Sequence, residues 1–279
     1  MRMLITGAGG MLGRDLTETA TAAGWDVVPL SHGELDINDR DGLESRLGDE
    51  RPDVVVNCAA WTDVDGAEES AAAAMATNGV GAGNVAGAAD GCGAWTIHIS
   101  SDYVFDGAKQ EPYVESDTTN PLSAYGHSKL AGERAVAENA PDSHTVVRSS
   151  WLFGAHGRCF PATILRLAAE RDQLTVVDDQ HGCPTFTGHL AQALVRLADG
   201  PPPRGTIHLA GAGACSWFEL ATHVVRLAGL DCQLVPISTD QMPRPAARPA
   251  YSVLGTERHD LPVLPPWQQG VEEFIAVRV

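Results

Sequence analysis

Arg2-Met3-Leu4-Ile5-Thr6-Gly7-Ala8-Gly9-Gly10-Met11-Leu12-Gly13 is the stretch whose reading decides the fold. An apolar run of strand type, Arg2 to Thr6, meets glycines at 7, 10 and 13; a helical pattern from Arg14 to Ala23 follows, then a second apolar strand from Asp26 to Leu30. Strand, glycine turn, helix and strand make a βαβ opening. Gly7, Gly10 and Gly13, with Met11 and Leu12 between them, allow a tight turn, close approach of backbone to a pyrophosphate and packing of the helix on the sheet, with the phosphates at the helix N-terminus. Glycine-rich turns also end strands for purely structural reasons. The position of this one, between the first strand and the first helix, selects the dinucleotide reading.

Working outward, the second strand ends in Leu30-Ser31-His32, where NAD-specific sheets of this kind carry an acid for the ribose hydroxyls. With no carboxylate there to repel a 2′-phosphate, and with Ser31 or Arg14 to bind one, NADPH is the expected cofactor and NADH stays open. Val54-Val55-Val56-Asn57 is a continuously apolar strand of the parallel type, and Cys58-Ala59-Ala60-Trp61-Thr62 leaves its C-terminal end, where such sheets bind ligands. Trp61 also reads as a packing aromatic. Ser70 to Asp90 reads as one alanine-rich helix packed closely on the sheet, because Gly79, Gly81, Gly83 and Gly87 each cost about 1 kcal/mol relative to alanine and need a reason to be there.

The chemistry lies between Ile99 and Lys129. The strand Trp95 to Ser100 delivers Ser101, and a helix from Ala124 to Ala140 puts Tyr125 and Lys129, four apart, on one face. A free tyrosine titrates near ~10, and a nearby ammonium pulls that value toward the working range. Ser101 would bind the carbonyl oxygen that Tyr125 protonates, with Asp102 and Tyr103 beside it as the other candidate proton donors. Tyr-x-x-x-Lys also occurs by chance in helices. Here only two of the 19 Lys and Arg residues are lysines, Lys109 and Lys129, so a lysine at this position stands against a strong arginine bias.

Gly7-x-x-Gly10-x-x-Gly13, Ser100-Ser101-Asp102-Tyr103-Val104-Phe105-Asp106-Gly107 and Tyr125-Gly-His-Ser-Lys129 together resemble the extended short-chain dehydrogenase/reductases, most closely the dTDP-4-dehydrorhamnose reductase family. Arg148-Ser149-Ser150-Trp151, Asp179-Gln180-His181-Gly182-Cys183-Pro184-Thr185 and His208-Leu209-Ala210-Gly211 extend the resemblance over nearly the whole chain. It implies an α/β fold: a doubly wound parallel (Rossmann) sheet in residues 1–150 and a smaller, irregular C-terminal substrate lobe in 151–279, some of whose strands and helices return to the first domain. It implies NADPH-dependent reduction of the 4-keto group of a dTDP-6-deoxyhexulose, giving dTDP-rhamnose or a related deoxysugar nucleotide.

Residue by residue, the resemblance sets Asp36 and Ile37 at the adenine edge, although Asp36 or Asn38 serves equally as a cap for a helix starting near Asp39. It sets Cys58, Ala59 and Ala60 against the cofactor, turns Thr62, Val64 and Tyr103 toward the sugar nucleotide, and gives Asn78 a supporting role at the active-site lysine, where the alternative is a solvated or bend-forming asparagine. Trp151 would stack on the hexose or else fill a core. Arg248, and after it Arg244, would bind the diphosphate from a proline-rich loop in which they otherwise read as solvated surface. Arg158-Cys159-Phe160 departs from the family's Asn-Phe pair, which puts one nucleotide contact in doubt. Acidic side chains that bridge two subunits through magnesium in some members have no match near His189, and no metal is expected. Two readings compete: an epimerase or dehydratase of the same fold, the latter disfavoured by Tyr103 where dehydratases carry a glutamate, and a non-catalytic regulatory subunit, against which Ser101, Tyr125 and Lys129 argue.

Composition bounds the rest. A chain of 279 residues, 44% hydrophobic, supports one large domain or two modest ones. Six scattered cysteines suggest neither a zinc site nor disulfides. A net charge of -17 argues against nucleic acid and anionic membranes as partners and sits awkwardly with an anionic cofactor and substrate, so local arginines and helix N-termini must supply the positive potential there; the nucleotide sugar is the partner the resemblance implies, with a homodimer as an open option. No signal-peptide pattern or long apolar run is evident, so the cytoplasm is expected. Strands are expected at His144 to Arg148, Leu174 to Val177 and Thr206 to Ala210. A helix capped by Ser216 with Glu219 follows a 200–204 link, and Pro236 to Pro266 suits a substrate-covering lobe better than a second core.

Overall fold

The computed structural model describes residues 1–200 and 202–278. Pro201 of the expected 200–204 link and Val279 at the end of the expected lobe lie outside the described residues. Strands β1 (Arg2–Thr6), β2 (Asp26–Leu30), β3 (Val54–Asn57), β4 (Trp95–Ser101) and β5 (His144–Ser149) are followed by β6 (Gln173–Val177), β7 (Gly205–His208) and β8 (Gln233–Ile237). Six of them make one parallel sheet in the order β7-β5-β4-β3-β1-β2. From β1 the chain steps to β2 on one side, then crosses to β3 and onward on the other. The crevice at that reversal is where such sheets bind ligands.

The helices are α1 (Met11–Ala22), α2 (Arg40–Glu50), α3 (Ala82–Gly91), α4 (Ala124–Asn139), α5 (Phe160–Glu170), α6 (Thr187–Ala198), α7 (Trp217–Leu227) and α8 (Trp267–Arg278). The continuous apolar run of β3 follows from burial on both faces. Val54 and Val56 join Met3, Ile5, Leu16 of α1 and Leu194 of α6, while Val55 joins Leu4, Leu43 and Leu47 of α2 and Val85 of α3. Two elements beyond residue 151 thus complete the first unit, β7 beside β5 and α6 on α1.

Three sequence expectations change here. The 70–90 segment is not one helix: a π-helical stretch, Ala76–Gly81, separates Ala71–Met75 from α3. Its glycines do not face the sheet; Gly79, Gly83 and Gly87 face α4, and Gly81 faces Ile37. The tightest crossing is from the other side, where a Cβ on Gly132 would lie 2.1 Å from the Asn78 carbonyl oxygen. β6 pairs not with the main sheet but with β8, in a separate parallel two-stranded sheet. A second core does exist, built by α5, α7 and α8 around Phe153, Ile164, Leu220, Val224 and Phe274, so the proline-rich 236–266 segment lies outside it as a cover. The Ser216 cap forms as expected, with Ser216 Oγ accepting from Glu219 N at 3.1 Å and Ser216 N donating to Glu219 Oε2 at 2.8 Å.

Candidate active site

A cleft of about 920 Å³ opens over the carboxyl ends of β1 to β5. Its floor is the glycine turn. Gly7 has φ +68, and a Cβ there would lie 2.5 Å from Ala59 N; a Cβ on Gly13 would lie 2.4 Å from Gly7 O. Only glycine allows strand, helix and the Cys58-Ala59-Ala60 turn to meet this closely. Gly10 caps α1, whose first-turn amides face a cleft with no acidic residue in that turn. Met11, Leu12, Ser31, Asp36 and Ile37 complete the wall. Asp39, not Asp36 or Asn38, caps α2, accepting from Gly42 N at 3.0 Å. Asp36 takes Asn38 N at 2.9 Å and lines the cleft. Arg158 lines it too, on the loop whose Gly154 packs against Met11, and so brings positive charge beside the start of α1.

The end of β2 departs from expectation. A carboxylate is present there after all, because Glu34 folds back so that Ser31 N and Ser31 Oγ both donate to its Oε2 at 2.9 and 2.6 Å. Sequence position hid it: Glu34 lies three residues beyond the place where an acid was sought.

Ser101, Tyr125 and Lys129 line one cleft. Ser123 caps α4 by accepting from Gly126 N at 3.1 Å, and a Cβ on Gly126 would lie 2.3 Å from the Tyr103 carbonyl oxygen, so glycine sets the helix start directly on the turn after β4. Lys129 Nζ is buried and donates to Ile99 O at 2.7 Å; burial pulls its pKa down to about 8, with Glu133 opposing. The expected lowering of the Tyr125 pKa by Lys129 is not found. Burial pushes the phenol up to about 12, partly offset by the Ser101 hydroxyl and reinforced by Asp102, while the ammonium is engaged by the Ile99 carbonyl. Tyr125 therefore holds its proton across the neutral range. Behind them Ser100 Oγ donates to Glu133 Oε1 at 2.6 Å, and Arg148 grips the same carboxylate at 2.9 and 2.7 Å, a buried support that sequence reasoning missed.

Asp102 and Tyr103 do not line this cleft. Asp102 is buried and accepts from Ser101 Oγ at 3.0 Å, Ser150 Oγ at 3.1 Å and Ser252 Oγ; burial raises its pKa to about 6 despite these donors. Tyr103 stands edge-on to Tyr125, with ring centroids 5.8 Å apart; burial and the Asp102 charge raise its pKa, and the Arg248 charge opposes the rise. Thr62 reaches the cleft, but Val64 does not. Asn78 does not either: it is buried, accepts from Trp61 N at 2.8 Å, and donates to Trp61 O at 3.0 Å and Ser128 Oγ at 2.9 Å, bracing the turn after β3 against α4 rather than touching Lys129.

Trp151 borders the cleft, yet one indole face is already covered by Trp217, with centroids 3.4 Å apart and planes 4° from parallel, and Gly182 packs against the same ring. Free stacking of a hexose on this indole is thereby restricted. Its φ of 48 is a strained value for a bulky residue, held by that packing. Ser149 was also missed. Its hydroxyl lines the cleft; the residue is 2% exposed, and the hydroxyl has no hydrogen-bond partner among the described residues. A buried orphan hydroxyl beside a glycine cradle and free helix-terminal amides fits a dinucleotide with a polar amide end.

A family model described as the RmlD substrate binding domain matches residues 1–278. The dTDP-4-dehydrorhamnose reductase of Streptomyces griseus is 44% identical over 280 residues, covering 98% of this chain and 92% of that one. Among solved structures, a dTDP-4-dehydrorhamnose reductase from Clostridium acetobutylicum has a TM-score of 0.96 at 39% identity and covers 100% and 99% of the two chains. The one from Bacillus anthracis, in complex with NADP, has a TM-score of 0.95 at 37% identity and covers 99% and 98%.

Proposed function

The chain belongs to the dTDP-4-dehydrorhamnose reductase family, and from that premise we propose that Tyr125, Lys129 and Ser101 carry its reduction of a dTDP-linked 4-keto-6-deoxyhexulose. The observation that carries this reading is the convergence of these three side chains on the cleft that also holds the glycine cradle. NADPH, when bound, supplies a hydride to the C4 carbon of the sugar. Tyr125, protonated at neutral pH, gives its phenolic proton to the developing alkoxide. Ser101 turns its hydroxyl from Asp102 to that oxygen as a second donor. The Lys129 ammonium, the Ser149 hydroxyl and the α1 N-terminus would hold the cofactor; Thr62 would meet the nucleotide sugar in the cleft, and Tyr103 and Arg248, which stand outside its lining, would meet the rest of it.

Among the described residues no helix is long and apolar enough to cross a membrane. The same reading sets the reaction in the cytoplasm, with a nucleotide sugar rather than nucleic acid as partner and a second copy of the chain as the candidate for assembly. Tyr103, standing where a dehydratase needs an acid, argues against dehydration. Incubation with NADPH and a panel of 4-keto dTDP-sugars, followed at the cofactor absorbance band, tests the function. Oxidation of NADPH with a 4-keto-6-deoxyhexulose is expected; sugar binding without oxidation for every member would move the chain to the non-catalytic reading.

A further inference from the structure

Ser31 follows β2 directly and lines the cofactor cleft. Its amide and its hydroxyl, the two donors at the tip of that strand, both end on one oxygen of Glu34, at 2.9 and 2.6 Å. The carboxylate is delivered by a tight turn rather than by a wandering side chain, since Glu34 N and Leu35 N each donate to Ser31 O at 3.0 Å. The surroundings complete a small anion-sized frame: Gly9 faces Ser31, with a Cβ there 3.7 Å from Ser31 Cβ, and Arg14 Nε donates to Gly9 O at 3.1 Å. In parallel dinucleotide sheets the tip of the second strand is where the 2′ position of the adenosine ribose is read. An amide and a hydroxyl converging on one anionic oxygen make a donor set for phosphate; here the protein's own carboxylate is seated in it, with Arg46 as the guanidinium that helps to lower its pKa.

We propose that Glu34 sets the choice between NADPH and NADH, because its carboxylate occupies the Ser31 donor pair that a 2′-phosphate needs and accepts the ribose hydroxyl that NADH offers. NADPH binds by displacing Glu34 from Ser31 and leaning on Arg14; NADH binds with the turn as it stands. Glu34 is exposed, so the penalty on the phosphate is modest and screened by salt, and the two cofactors are brought closer in affinity than Ser31 and Arg14 alone would leave them. The inference rests on the reading of the chain as a nicotinamide-dependent reductase and concerns only which nicotinamide it selects.

The test measures Kd for NADPH and for NADH without sugar, by cofactor fluorescence, in the wild type, Glu34→Gln and Glu34→Ala. Gln keeps an acceptor oxygen for Ser31 and drops the charge. NADPH binding is expected to tighten about tenfold in Glu34→Gln at low salt, with NADH unchanged or weaker, and the gain is expected to shrink at high salt. Competition by 2′-AMP should sharpen in parallel while that by 5′-AMP stays flat. A change of less than twofold in the NADPH to NADH ratio, or equal damage to both cofactors in both variants, would reduce Glu34 to a turn cap and overturn the proposal. If the wild type bound neither cofactor, the reductase reading itself would fail; binding of both with an unmoved ratio would sink only the role of Glu34.

Discussion

The Arg248 guanidinium grips the Asp65 carboxylate through two hydrogen bonds, Nη1 to Oδ1 at 3.0 Å and Nη2 to Oδ2 at 2.9 Å. Asp65 follows β3 and Arg248 sits in the proline-rich cover, so the pair ties the cover to the sheet. Ala246 N adds a third bond to Asp65 at 3.2 Å, and Arg244 stands 3.6 Å from the same carboxylate. One carboxylate therefore faces two guanidiniums, in a chain whose net charge is -17. Arg244, the more exposed of the two guanidiniums, and Arg248 are the cations of this patch that a diphosphate could meet.

Arg248→Ala is accordingly expected to raise KM for the nucleotide sugar by about tenfold, about 1.4 kcal/mol, with Kd for NADPH unchanged within twofold. Arg244→Ala, at a side chain 55% exposed, should cost less. Steady-state kinetics with cofactor titration check this, and equal damage to sugar and cofactor binding would show that Arg248 acts only by holding the cover.

Tyr125→Phe keeps the ring and removes the proton, so kcat should fall by about 10²–10⁴ with Kd for NADPH nearly intact. Lys129→Met should weaken both rate and cofactor binding, yet raise stability. The Lys129 pKa is lowered in the folded protein to about 8 while the unfolded side chain keeps its ordinary value near 10.5, so at pH 7 folding carries the cost of a buried ammonium. That cost is constant below about pH 8 and fades as pH rises from there toward the unfolded pKa. Removing it is expected to stabilise the fold by on the order of 1 kcal/mol at pH 7 after the Ile99 carbonyl loses its donor, seen as a higher Tm. A lower Tm in Lys129→Met at pH 7, with the gain absent against wild type, would mean that Glu133 already compensates the charge.

What the sequence made legible is what repeats locally. The glycine turn, the apolar run of β3, the one-turn spacing of Tyr125 and Lys129, and the Ser216 cap all follow from contacts within a few residues or from one periodicity. What stayed hidden depends on side chains that meet across the fold. The Glu34 turn defeats a rule written for a fixed distance from the glycines. Asn78 spends its amide on Trp61 and Ser128, which no helical pattern announces. Trp151 reads equally as a sugar platform or a core residue until Trp217, far along the chain, is seen against its face. The π-helical stretch lies where Gly132 of α4 meets the Asn78 carbonyl, a contact between segments far apart in sequence.

Ser149 offers a test that separates binding from stability. Its hydroxyl is buried without a partner among the described residues, so Ser149→Ala removes a desolvated polar group and should leave the unliganded protein as stable as the wild type or up to about 1 kcal/mol more so. The same change takes one hydrogen bond from the bound cofactor, and Kd for NADPH is expected to rise roughly three- to tenfold. Thermal melts with and without NADPH read both effects. A variant that lost stability in the unliganded state and kept its cofactor affinity would show that Ser149 serves the core.

The last expectation concerns Ser252, which reaches from the cover to the buried Asp102 carboxylate, with Ser150 on the same oxygen and Ser101 on the other. Burial holds the Asp102 pKa at about 6, above its ordinary value of 3.8, and the serine hydroxyls oppose the rise. A carboxyl whose folded pKa is raised favours the folded state most below its unfolded pKa, and that advantage is lost as pH rises through the folded value. At pH 8 the group is ionised and leans fully on its donors; at pH 5 it is largely neutral and needs them less. Ser252→Ala should therefore cost about 1.5–3 kcal/mol at pH 8, where the bond is to a charge, and nearer 1 kcal/mol at pH 5. Denaturant unfolding of wild type and variant at the two pH values measures the difference directly. Equal losses at both would mean that Asp102 does not change its protonation in this range, and the contact of Ser252 with the site around Ser101 would then be one of packing alone.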